Sequence, residues 1–455
     1  MSELIGKIKE KGIRQSVRMI SVKMKKQEKW DVKNLRGKRK NAIDKLLSRE
    51  FDTVIIFENH FGFYNIMLQR PQHLTKKLAD ERTLVLYNSY YDVDYKNPSR
   101  ITRVAGNCFV LDLYYYRNEI LRQLRQKRAD RYLMVYSTDT VPMSRIRQYQ
   151  QEGFKILYEY VDDINPDLIA PGRLDMILER HESLIKDPAT YVIATATRLY
   201  ENVRKINPAA KAALISNGAE CEKFPPDQKT GEKEYLSWLR LDSVKAGYYG
   251  AMASWVDYDL LKALADHPEI QIILIGIEHD ASLQESGILE YKNVRFLGKR
   301  PYEELAGYAH FFDVCMIPFV VNDITESTSP VKLFEYMAMG KPVVATSLPE
   351  CKKYELVKIA DTKEDFVEDV LKLAEKGKSE EFQSRLMECA RANDWKAKAA
   401  ELKDFIKEGW KTLCKPGRFF ISNKHVFDAK ELQISKKGSC SGSADIIGKQ
   451  KACII

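Results

Sequence analysis

The sequence lacks several features that would place it in a familiar class of protein. It contains no run of eighteen apolar residues, and the longest near match, residues 309–321, is too short and carries Asp313, so no membrane-spanning helix is predicted. Its eight cysteines form no C-x-x-C pair and no Cys/His spacing typical of metal sites, which favours reduced structural thiols and no bound metal. The N-terminus has no apolar signal core. These absences predict a cytoplasmic protein.

The motifs of two enzyme classes are also missing or weak. No G-x-G-x-x-G turn follows a predicted strand, which argues against a dinucleotide-binding dehydrogenase. The tripeptides DVD (92–94) and DYD (257–259) match the Asp-x-Asp of metal-dependent, single-sheet transferases, but such matches are common by chance.

The positive charge of the chain is concentrated at its N-terminal end. Residues 1–49 contain 16 Lys/Arg and 5 Asp/Glu, a net charge of +11, whereas the whole chain carries +9, so the remainder carries −2. This distribution argues against a nucleic-acid-binding core. Ile13, Val17, Ile20 and Met24 fall on one stripe of a basic helix, which could lie on the inner face of an anionic membrane, pack on the folded body or remain disordered.

Short apolar runs rich in β-formers alternate with amphipathic stretches from about residue 51 onward. The first series comprises residues 53–57, 83–88, 132–137, 155–161 and 191–196, and the second comprises 246–251, 270–276, 294–298, 313–319 and 341–346. Continuous apolar runs of this kind are typical of strands that are buried on both faces. We therefore predict an α/β protein with two doubly wound, Rossmann-like domains that face a cleft, where ligands bind at the carboxyl ends of the strands.

The change from one series to the next sets the predicted domain boundaries. They are a basic leader over residues 1–49, a first domain over 50–224, a polar linker over 225–234, a second domain over 235–394, a closing helix over 395–411 and a tail over 412–455.

A helix with distinctive ends is predicted within SPVKLFEYMAMGKPVVAT (329–346). Ser329 can cap its N-terminus, and Pro330 suits the first helical position, where its missing N–H is no loss. Gly340 can supply the left-handed stop before the next strand. The N-terminus of this helix should therefore lie at the carboxyl edge of the second sheet.

Two charged residues follow that N-terminus. Free N–H groups and the helix dipole favour phosphate there, and Lys332 adds a full positive charge. Glu335, one turn further on, could accept two hydrogen bonds from a sugar diol, so the order of groups fits a nucleotide diphosphate. The alternative is that Lys332 and Glu335 form a solvated pair on an ordinary helix.

The segment DVCMIPF (313–319) followed by SPVKLFEYMAMGKPVVAT resembles the donor-binding segment of GT-B glycosyltransferases in the large, mostly retaining family four. The resemblance is strongest to the branch found in bacterial surface-polysaccharide and teichuronic-acid gene clusters. Further pieces that agree in order are QRPQHLTKKLA, ILYEYVDD, YVIATATRLYENV, ISNGAECEKF, GAMASWVDYDLL and FLGKRPYEELAGY. The similarity covers roughly residues 51–411.

The resemblance implies roles for the donor segment. Glu335 would hold the ribose hydroxyls, and backbone N–H groups near Ser329, Val331 and Lys332 would hold the diphosphate, with the Lys332 side chain assisting. Gly250, at the end of the second domain's first strand, matches a glycine that lets a loop approach the phosphates.

The chain departs from the family after Gly250, where the usual Arg and Lys are absent. Lys299, Arg300 and Arg70 are candidate substitutes for phosphate contact, although each could instead be a solvated surface charge. Gly298, immediately before Lys299, belongs to the loop that in relatives usually lines the nucleobase.

Two regions are candidates for contact with the transferred sugar or the acceptor. His60 and Gly62 lie in the first domain's loop at the cleft, where a lone His in an aromatic loop is more often packed than catalytic. Asp162 and Asp163 follow a predicted strand, where relatives often carry a catalytic His or Asp, although either acid could instead cap a helix.

The chain also departs from the family at the position of a glutamate that contacts the transferred sugar in relatives. The family commonly has it eight positions before the donor-helix glutamate, where this chain has Ser327, and Glu326 stands immediately before. Glu326 could still reach the sugar, or the hydroxyls of Ser327 and Thr328, or the side chains of Asn322 and Asp323, could replace it.

The resemblance as a whole implies transfer of a sugar from a nucleotide-diphosphate sugar to a glycan or lipid-linked acceptor in surface-polysaccharide synthesis. The reaction is expected to retain the anomeric configuration and to need no metal or other cofactor. The alternatives are a nucleotide-sugar 2-epimerase and a non-catalytic scaffold of the same fold.

Overall fold

The computed structural model describes residues 32–59, 62–64, 68–89, 94, 100–166, 169 and 172–408. His60, the predicted helical stripe at residues 13–24 and the predicted tail over 412–455 lie outside these residues.

The first sheet has eight strands. They are β1 (Thr53–Phe57), β2 (Thr83–Asn88), β3 (Ile101–Ala105), β4 (Cys108–Leu111), β5 (Asp130–Tyr136), β6 (Lys155–Tyr160), β7 (Thr190–Ala194) and β8 (Lys211–Leu214). Their order across the sheet is β3-β4-β2-β1-β5-β6-β7-β8. All neighbours pair in parallel except β3, which runs antiparallel to β4. This edge hairpin was not predicted, because β3 is half-exposed and has no continuous apolar run.

The second sheet has six parallel strands. They are β9 (Val244–Tyr249), β10 (Ile270–Ile275), β11 (Val294–Phe296), β12 (Val314–Ile317), β13 (Val343–Thr346) and β14 (Val357–Ala360). Their order is β11-β10-β9-β12-β13-β14. Two sheets, one wholly parallel and the other parallel except for the edge strand β3, confirm the predicted fold class.

Helices cover both faces of the first sheet. They are α1 (Val32–Leu46), α2 (Arg70–Leu78), α3 (Leu113–Leu124), α4 (Met143–Gln151), α5 (Leu174–Lys186) and α6 (Thr197–Ile206). Alternate residues of β1 divide between two cores: Val54 and Ile56 pack with α1 and α3 to α6, whereas Ile55 and Phe57 pack with α2. This division follows from the opposite directions of successive side chains in a strand.

The helices after β8 surround the second sheet, with one exception. They are α7 (Lys233–Trp238), α8 (Tyr258–Ala265), α9 (Ser282–Glu285), α10 (Leu305–Ala309), α11 (Asp323–Glu326), α12 (Val331–Ala338), α13 (Pro349–Lys352), α14 (Lys363–Lys376), α15 (Glu380–Ala392) and α16 (Trp395–Glu408). The exception is α16, which returns to the first domain, where Trp395 and Leu402 join the core on the α2 side of the sheet.

The two chain segments that cross between the domains are bonded to each other. Ala219 N donates to the carbonyl oxygen of Asn393 at 3.2 Å, and Trp395 N donates to the carbonyl oxygen of Ala219 at 3.0 Å. A Cβ atom at Gly218 would collide with the Asn393 carbonyl, so glycine is needed where the crossings meet.

Helix α1 belongs to the first domain's core, although it lies within the predicted leader. Ile43 and Leu47 are buried against that core, and the Arg39 guanidinium lies 3.9 Å from the centre of the Tyr115 ring. Among the described residues, no helix is both long and apolar enough to cross a membrane.

Candidate functional site

A cavity of about 170 Å³ lies at the carboxyl edge of the second sheet, where β9 is flanked by β10 and β12. In such sheets, ligands usually bind at the carboxyl ends of the strands, at the point where the strand order reverses. The second domain supplies most of the lining, and Leu68 and Gln69 come from the first domain. The second domain's polar or glycine contributions include Gly250, Gly276, Lys299, Arg300, Tyr302, Thr328, Ser329, Lys332 and Glu335.

Two glycines bring backbone close to the cavity. Gly250 ends β9 with a φ of 153°, and a Cβ atom there would lie 2.7 Å from the Tyr248 hydroxyl and 3.0 Å from Lys332 Cε. Gly276 ends β10, and a Cβ atom on it would collide with the Gly250 carbonyl. Any side chain at either position would displace a neighbour, so the pair keeps the cavity floor open.

The helix that borders the cavity, α12, begins one residue later than predicted. Pro330 occupies the N-cap position and no side chain caps the helix. The predicted capping role of Ser329 is therefore wrong: its hydroxyl accepts a hydrogen bond from Asn217 N at 3.1 Å, and its carbonyl accepts one from Asn217 Nδ2 at 2.7 Å. Ser329 thus joins the donor segment to the first domain. Its neighbour Val331 lines the cavity, as does Ser329 itself.

The C-terminus of α12 follows the prediction. Gly340 has a φ of 68° and donates its N–H to the carbonyl of Met337, while Lys341 N donates to the carbonyl of Tyr336, both at 3.0 Å. These two bonds form the Schellman arrangement that ends a helix at a left-handed glycine.

Glu335 is buried at the wall of the cavity. The residue is only 4% exposed, and its Oε1 accepts a hydrogen bond from the Tyr302 hydroxyl at 2.8 Å. Burial raises the pKa of Glu335 to about 7, against the opposing effect of the hydrogen bond from Tyr302. A solvated surface pair, the alternative interpretation, does not fit this environment.

Lys332 borders the same cavity beside two aromatic rings. Its Nζ lies 4.9 Å from the centre of the Phe319 ring and 5.5 Å from that of Tyr248. Burial lowers the pKa of Lys332 to about 8, although the charge of Glu335 acts in the opposite direction. Within the described part of the chain, no ion pair or hydrogen bond engages this ammonium, so it is available to an anion.

The three candidate phosphate contacts differ in their surroundings. Lys299 is exposed at the cavity mouth. Arg300 also lines the cavity, but its guanidinium is 3.0 Å from Glu232 and 2.9 Å from the Tyr308 hydroxyl. Arg70 is buried and is not among the lining residues: its Nε donates to Glu159 at 2.6 Å. Of the three, Lys299 is the cation best placed to approach a ligand.

Gly298 acts on the cavity through the loop that follows it. It has a φ of 68°, and its carbonyl accepts a hydrogen bond from Gly276 N at 3.0 Å. It is not among the lining residues, whereas Lys299, Arg300 and Tyr302 after it are.

The acids after β6 lie outside the cavity lining. Burial and the neighbouring Asp163 raise the pKa of Asp162 to about 7. Asp163 Oδ1 accepts hydrogen bonds from Ile164 N at 3.1 Å and from the Tyr160 hydroxyl at 3.4 Å. No helix starts here among the described residues, so neither acid acts as the helix cap that was considered as an alternative.

Glu326 forms an ion pair across the domains. Arg198, in the first turn of α6, contacts Glu326 and lies 2.7 Å from Asp323. The Ser327 hydroxyl donates to the Asp323 carbonyl at 2.9 Å, and the Asn322 side chain caps α11. Among the described residues considered for contact with the transferred sugar, Thr328 is the one that lines the cavity.

Sequence reasoning missed Tyr302, Asn217 and Arg198 as contributors to this site. Each stands in a stretch that carried the resemblance, but the partner of each lies more than thirty residues away in the chain. Only the assembled fold brings these pairs together.

Comparison with known proteins supports this description of the chain. Residues 251–376 match the family described as Glycosyl transferases group 1. TuaH of Bacillus subtilis, assigned by name to teichuronic acid biosynthesis as a glycosyltransferase, is 26% identical over 243 residues, which are 49% of this chain and 60% of TuaH. The chain therefore spans about three fifths of the length of that relative.

Solved structures share the architecture at low sequence identity. Sucrose-phosphate synthase from Thermosynechococcus elongatus covers 79% of this chain and 99% of its own, with a TM-score of 0.59 and 15% identity. A glycosyltransferase from Rickettsia africae covers 79% of this chain and 100% of its own, with a TM-score of 0.55 and 12% identity. HepE of Anabaena, in complex with UDP and glucose, covers 78% of this chain and 99% of its own, with a TM-score of 0.53 and 14% identity.

The architecture is the GT-B fold, and within the second domain residues 251–376 match the group 1 glycosyl transferases. The resemblance to glycosyltransferases of family four is thereby confirmed.

Proposed function

We propose that the protein transfers a sugar from a nucleotide-diphosphate sugar to a glycan or lipid-linked acceptor in surface-polysaccharide synthesis. The observation that carries the proposal is the cavity, in which the N-terminus of α12, the Lys332 ammonium and the buried Glu335 carboxylate line one wall. Its position in the domain that matches the transferase family, and the likeness to TuaH, support the reaction class and the pathway.

The diphosphate would occupy the amino end of α12. The first N–H groups of a helix have no partner within the helix, and its dipole adds partial positive charge. Lys332 supplies a full charge, and Lys299 can add another from the cavity mouth. Gly250 leaves room for phosphate oxygens beside Lys332. Because these groups can balance the diphosphate charge, we propose a reaction that does not depend on a metal ion.

The nucleoside would lie beyond the diphosphate along the same wall. Glu335 stands one helical turn after Lys332, so its carboxylate can accept hydrogen bonds from ribose hydroxyls. The loop from Lys299 to Tyr302 would then border the base. HepE, which has the same fold, is described in complex with UDP and glucose, which makes UDP the first nucleotide to test.

The transferred sugar would face the first domain. Thr328 and Ser329 line the cavity on that side, and Gln69 approaches it from the first domain. We propose that the anomeric configuration is retained, because the rest of the donor segment resembles mostly retaining enzymes. Asp162, Asp163 and Glu326 remain candidates for sugar or acceptor contact outside the cavity lining.

The charge of the chain supports a proposal for the acceptor and the location. Residues 1–49 carry a net charge of +11, which suits an anionic membrane surface that displays a lipid-linked acceptor. We propose a cytoplasmic enzyme that associates peripherally with the inner face of the membrane.

The decisive experiment is incubation with UDP-, GDP- and ADP-linked hexoses and a lipid-linked acceptor extract. NMR of the first-formed product reports transfer and the anomer. Glu335→Gln should lower turnover at subsaturating donor by about ten- to a hundredfold, since a hydrogen bond to a charged group is lost. The matched control is Glu364→Gln, an exposed carboxylate of α14.

Each contrary product has a defined meaning. An epimerised free nucleotide sugar would replace the proposal with a 2-epimerase, and nucleotide binding without turnover of any donor would replace it with a scaffold. An inverted anomer would contradict retention.

A further inference from the structure

Tyr302 lies between the donor-site carboxylate and the first domain. Its hydroxyl donates to Glu335 Oε1 at 2.8 Å. Its ring centre lies 5.6 Å from that of His73, in α2 of the first domain, and 5.3 Å from that of Phe224, in the crossing segment, with an edge-to-face geometry to Phe224. One side chain therefore contacts both the cavity wall and the other domain.

The surface that receives the Tyr302 ring is itself fixed. His73 is buried, its Nδ1 lies 2.7 Å from Glu220 Oε1, and its ring stacks on Trp395 with centres 5.4 Å apart and planes 2° apart. Aromatic packing of this kind restricts ring rotation. The direction of the Tyr302 hydroxyl is therefore set by first-domain residues as well as by its own loop.

The groups around Glu335 act in opposite directions on its charge. Tyr302, Tyr249 and Lys332 favour the ionised carboxylate, whereas burial and the more distant Glu220 favour the protonated form, and the balance leaves its pKa at about 7. An ionised carboxylate accepts hydrogen bonds only, which is the role a sugar diol requires.

We propose that Tyr302 is a positioning residue for nucleotide binding, which holds the Glu335 carboxylate as a hydrogen-bond acceptor facing the cavity. The inference rests on the proposed function, because the ligand of Glu335 is the nucleotide proposed above. It adds a residue outside the donor helix, and it makes the first domain a contributor to the donor site.

The test compares Tyr302→Phe with the wild-type chain by calorimetric titration of UDP, GDP, ADP and CDP from pH 6 to pH 9. Phenylalanine keeps the ring against His73 and removes only the hydroxyl. The best-bound diphosphate should bind about tenfold more weakly to the variant near pH 7, the loss expected for one hydrogen bond to a charged group. Raising the pH should narrow the difference in affinity between the variant and the wild type, because Glu335 ionises at higher pH without its donor, whereas the loss of the Lys332 proton affects both proteins alike.

The matched control is Tyr235→Phe. Tyr235 is buried in the same domain, its hydroxyl donates to the Tyr308 carbonyl at 3.3 Å, and it does not line the cavity. This variant should bind nucleotide as the wild type does at every pH. A ligand-free titration of labelled carboxyls by ¹³C NMR should show the Glu335 midpoint at higher pH in Tyr302→Phe.

Three results would overturn the inference. Wild-type affinity in Tyr302→Phe, or a loss that is the same at every pH, would show that the hydroxyl does not act through Glu335. An unchanged Glu335 midpoint would show that the hydrogen bond is absent in solution. If the wild-type chain itself binds none of the four diphosphates, the proposed function fails and the role of Tyr302 fails with it, and that outcome is recognised without any variant.

Discussion

At the scale of single residues, the site contains two charged groups whose burial disfavours their charged forms. Glu335 is almost fully enclosed, and the Lys332 ammonium lies beside the Phe319 and Tyr248 rings. Burial of a charge favours its neutral form, so both groups titrate near neutral pH and not at their usual values. A site that must exchange a charged ligand keeps such groups at the expense of stability.

This cost predicts that Glu335→Gln stabilises the protein in a pH-dependent manner. The raised pKa means that folded Glu335 binds its proton more tightly than unfolded Glu335, so wild-type stability falls as the pH rises from about 4.5 to about 7. The Glu335→Gln variant has a neutral amide at this position, so its stability lacks this dependence on pH. The variant should therefore match the wild type near pH 4 and exceed it by about 3 kcal/mol at pH 8, the equivalent of two to three pKa units. The measurement is urea unfolding of both proteins at pH 4 and pH 8. The same difference in free energy of unfolding at the two pH values would contradict the prediction.

Lys332 should control the alkaline side of nucleotide binding. Its ammonium loses its proton as the pH rises through about 8, so affinity for a diphosphate should fall there. Lys332→Ala should weaken diphosphate binding by about tenfold or more at pH 7 and remove this alkaline fall, while an isolated nucleoside loses much less. The measurement is calorimetry of UDP against uridine. Equal losses for both would place Lys332 away from the phosphates.

At the scale of elements, the segment before the donor helix is held by the first domain. Arg198 at the start of α6 pairs with two acids of α11, and Asn217 holds Ser329 by two hydrogen bonds. In addition, Glu350 of α13 accepts the Thr197 N–H at 2.7 Å. The amino end of α12 is therefore placed by contacts that exist only when the two domains are together.

These contacts predict how Glu326 acts. If Glu326 serves mainly to anchor α11, Glu326→Gln and Arg198→Gln should lower turnover similarly, and the double variant should add little to either. Increasing salt should reproduce part of the effect, because the pair is partly exposed. A loss of turnover in Glu326→Gln that Arg198→Gln does not share would return Glu326 to direct contact with the sugar.

The elements also show what the sequence could predict. The buried strands and the left-handed end of α12 were predictable, because continuous apolar runs and a glycine before a strand are local signals. The start of α12 was not, since Ser329 is drawn away from the cap by Asn217, more than a hundred residues earlier in the chain. Arg70 had the charge expected of a phosphate contact, but its partner Glu159 is visible only in the assembled sheet.

At the scale of the whole molecule, the basic region divides into two parts. Helix α1 is packed on the first domain, whereas residues 1–31 carry nine Lys/Arg and four Asp/Glu, a net charge of +5. Removal of residues 1–31 thus tests membrane attraction while it leaves α1 in the chain.

The full chain should sediment with phosphatidylglycerol vesicles at low salt, and the form without residues 1–31 should bind them at least about tenfold more weakly, because one or two basic residues near an anionic surface, at about 1 kcal/mol each, already account for that factor. Salt should reduce the difference. Neutral phosphatidylcholine vesicles are the control. Equal sedimentation of the two forms would end the membrane proposal for this segment.

The return of α16 to the first domain has a consequence for recombination. Because Trp395 and Leu402 complete the core on the α2 side, the second domain is an insertion within the first and not a C-terminal half. A chimera that borrows the second domain of a relative thus needs two junctions, one near residue 225 and one near residue 393. A single crossover would combine the new domain with a foreign α16, whose apolar face has been fitted to a different α2.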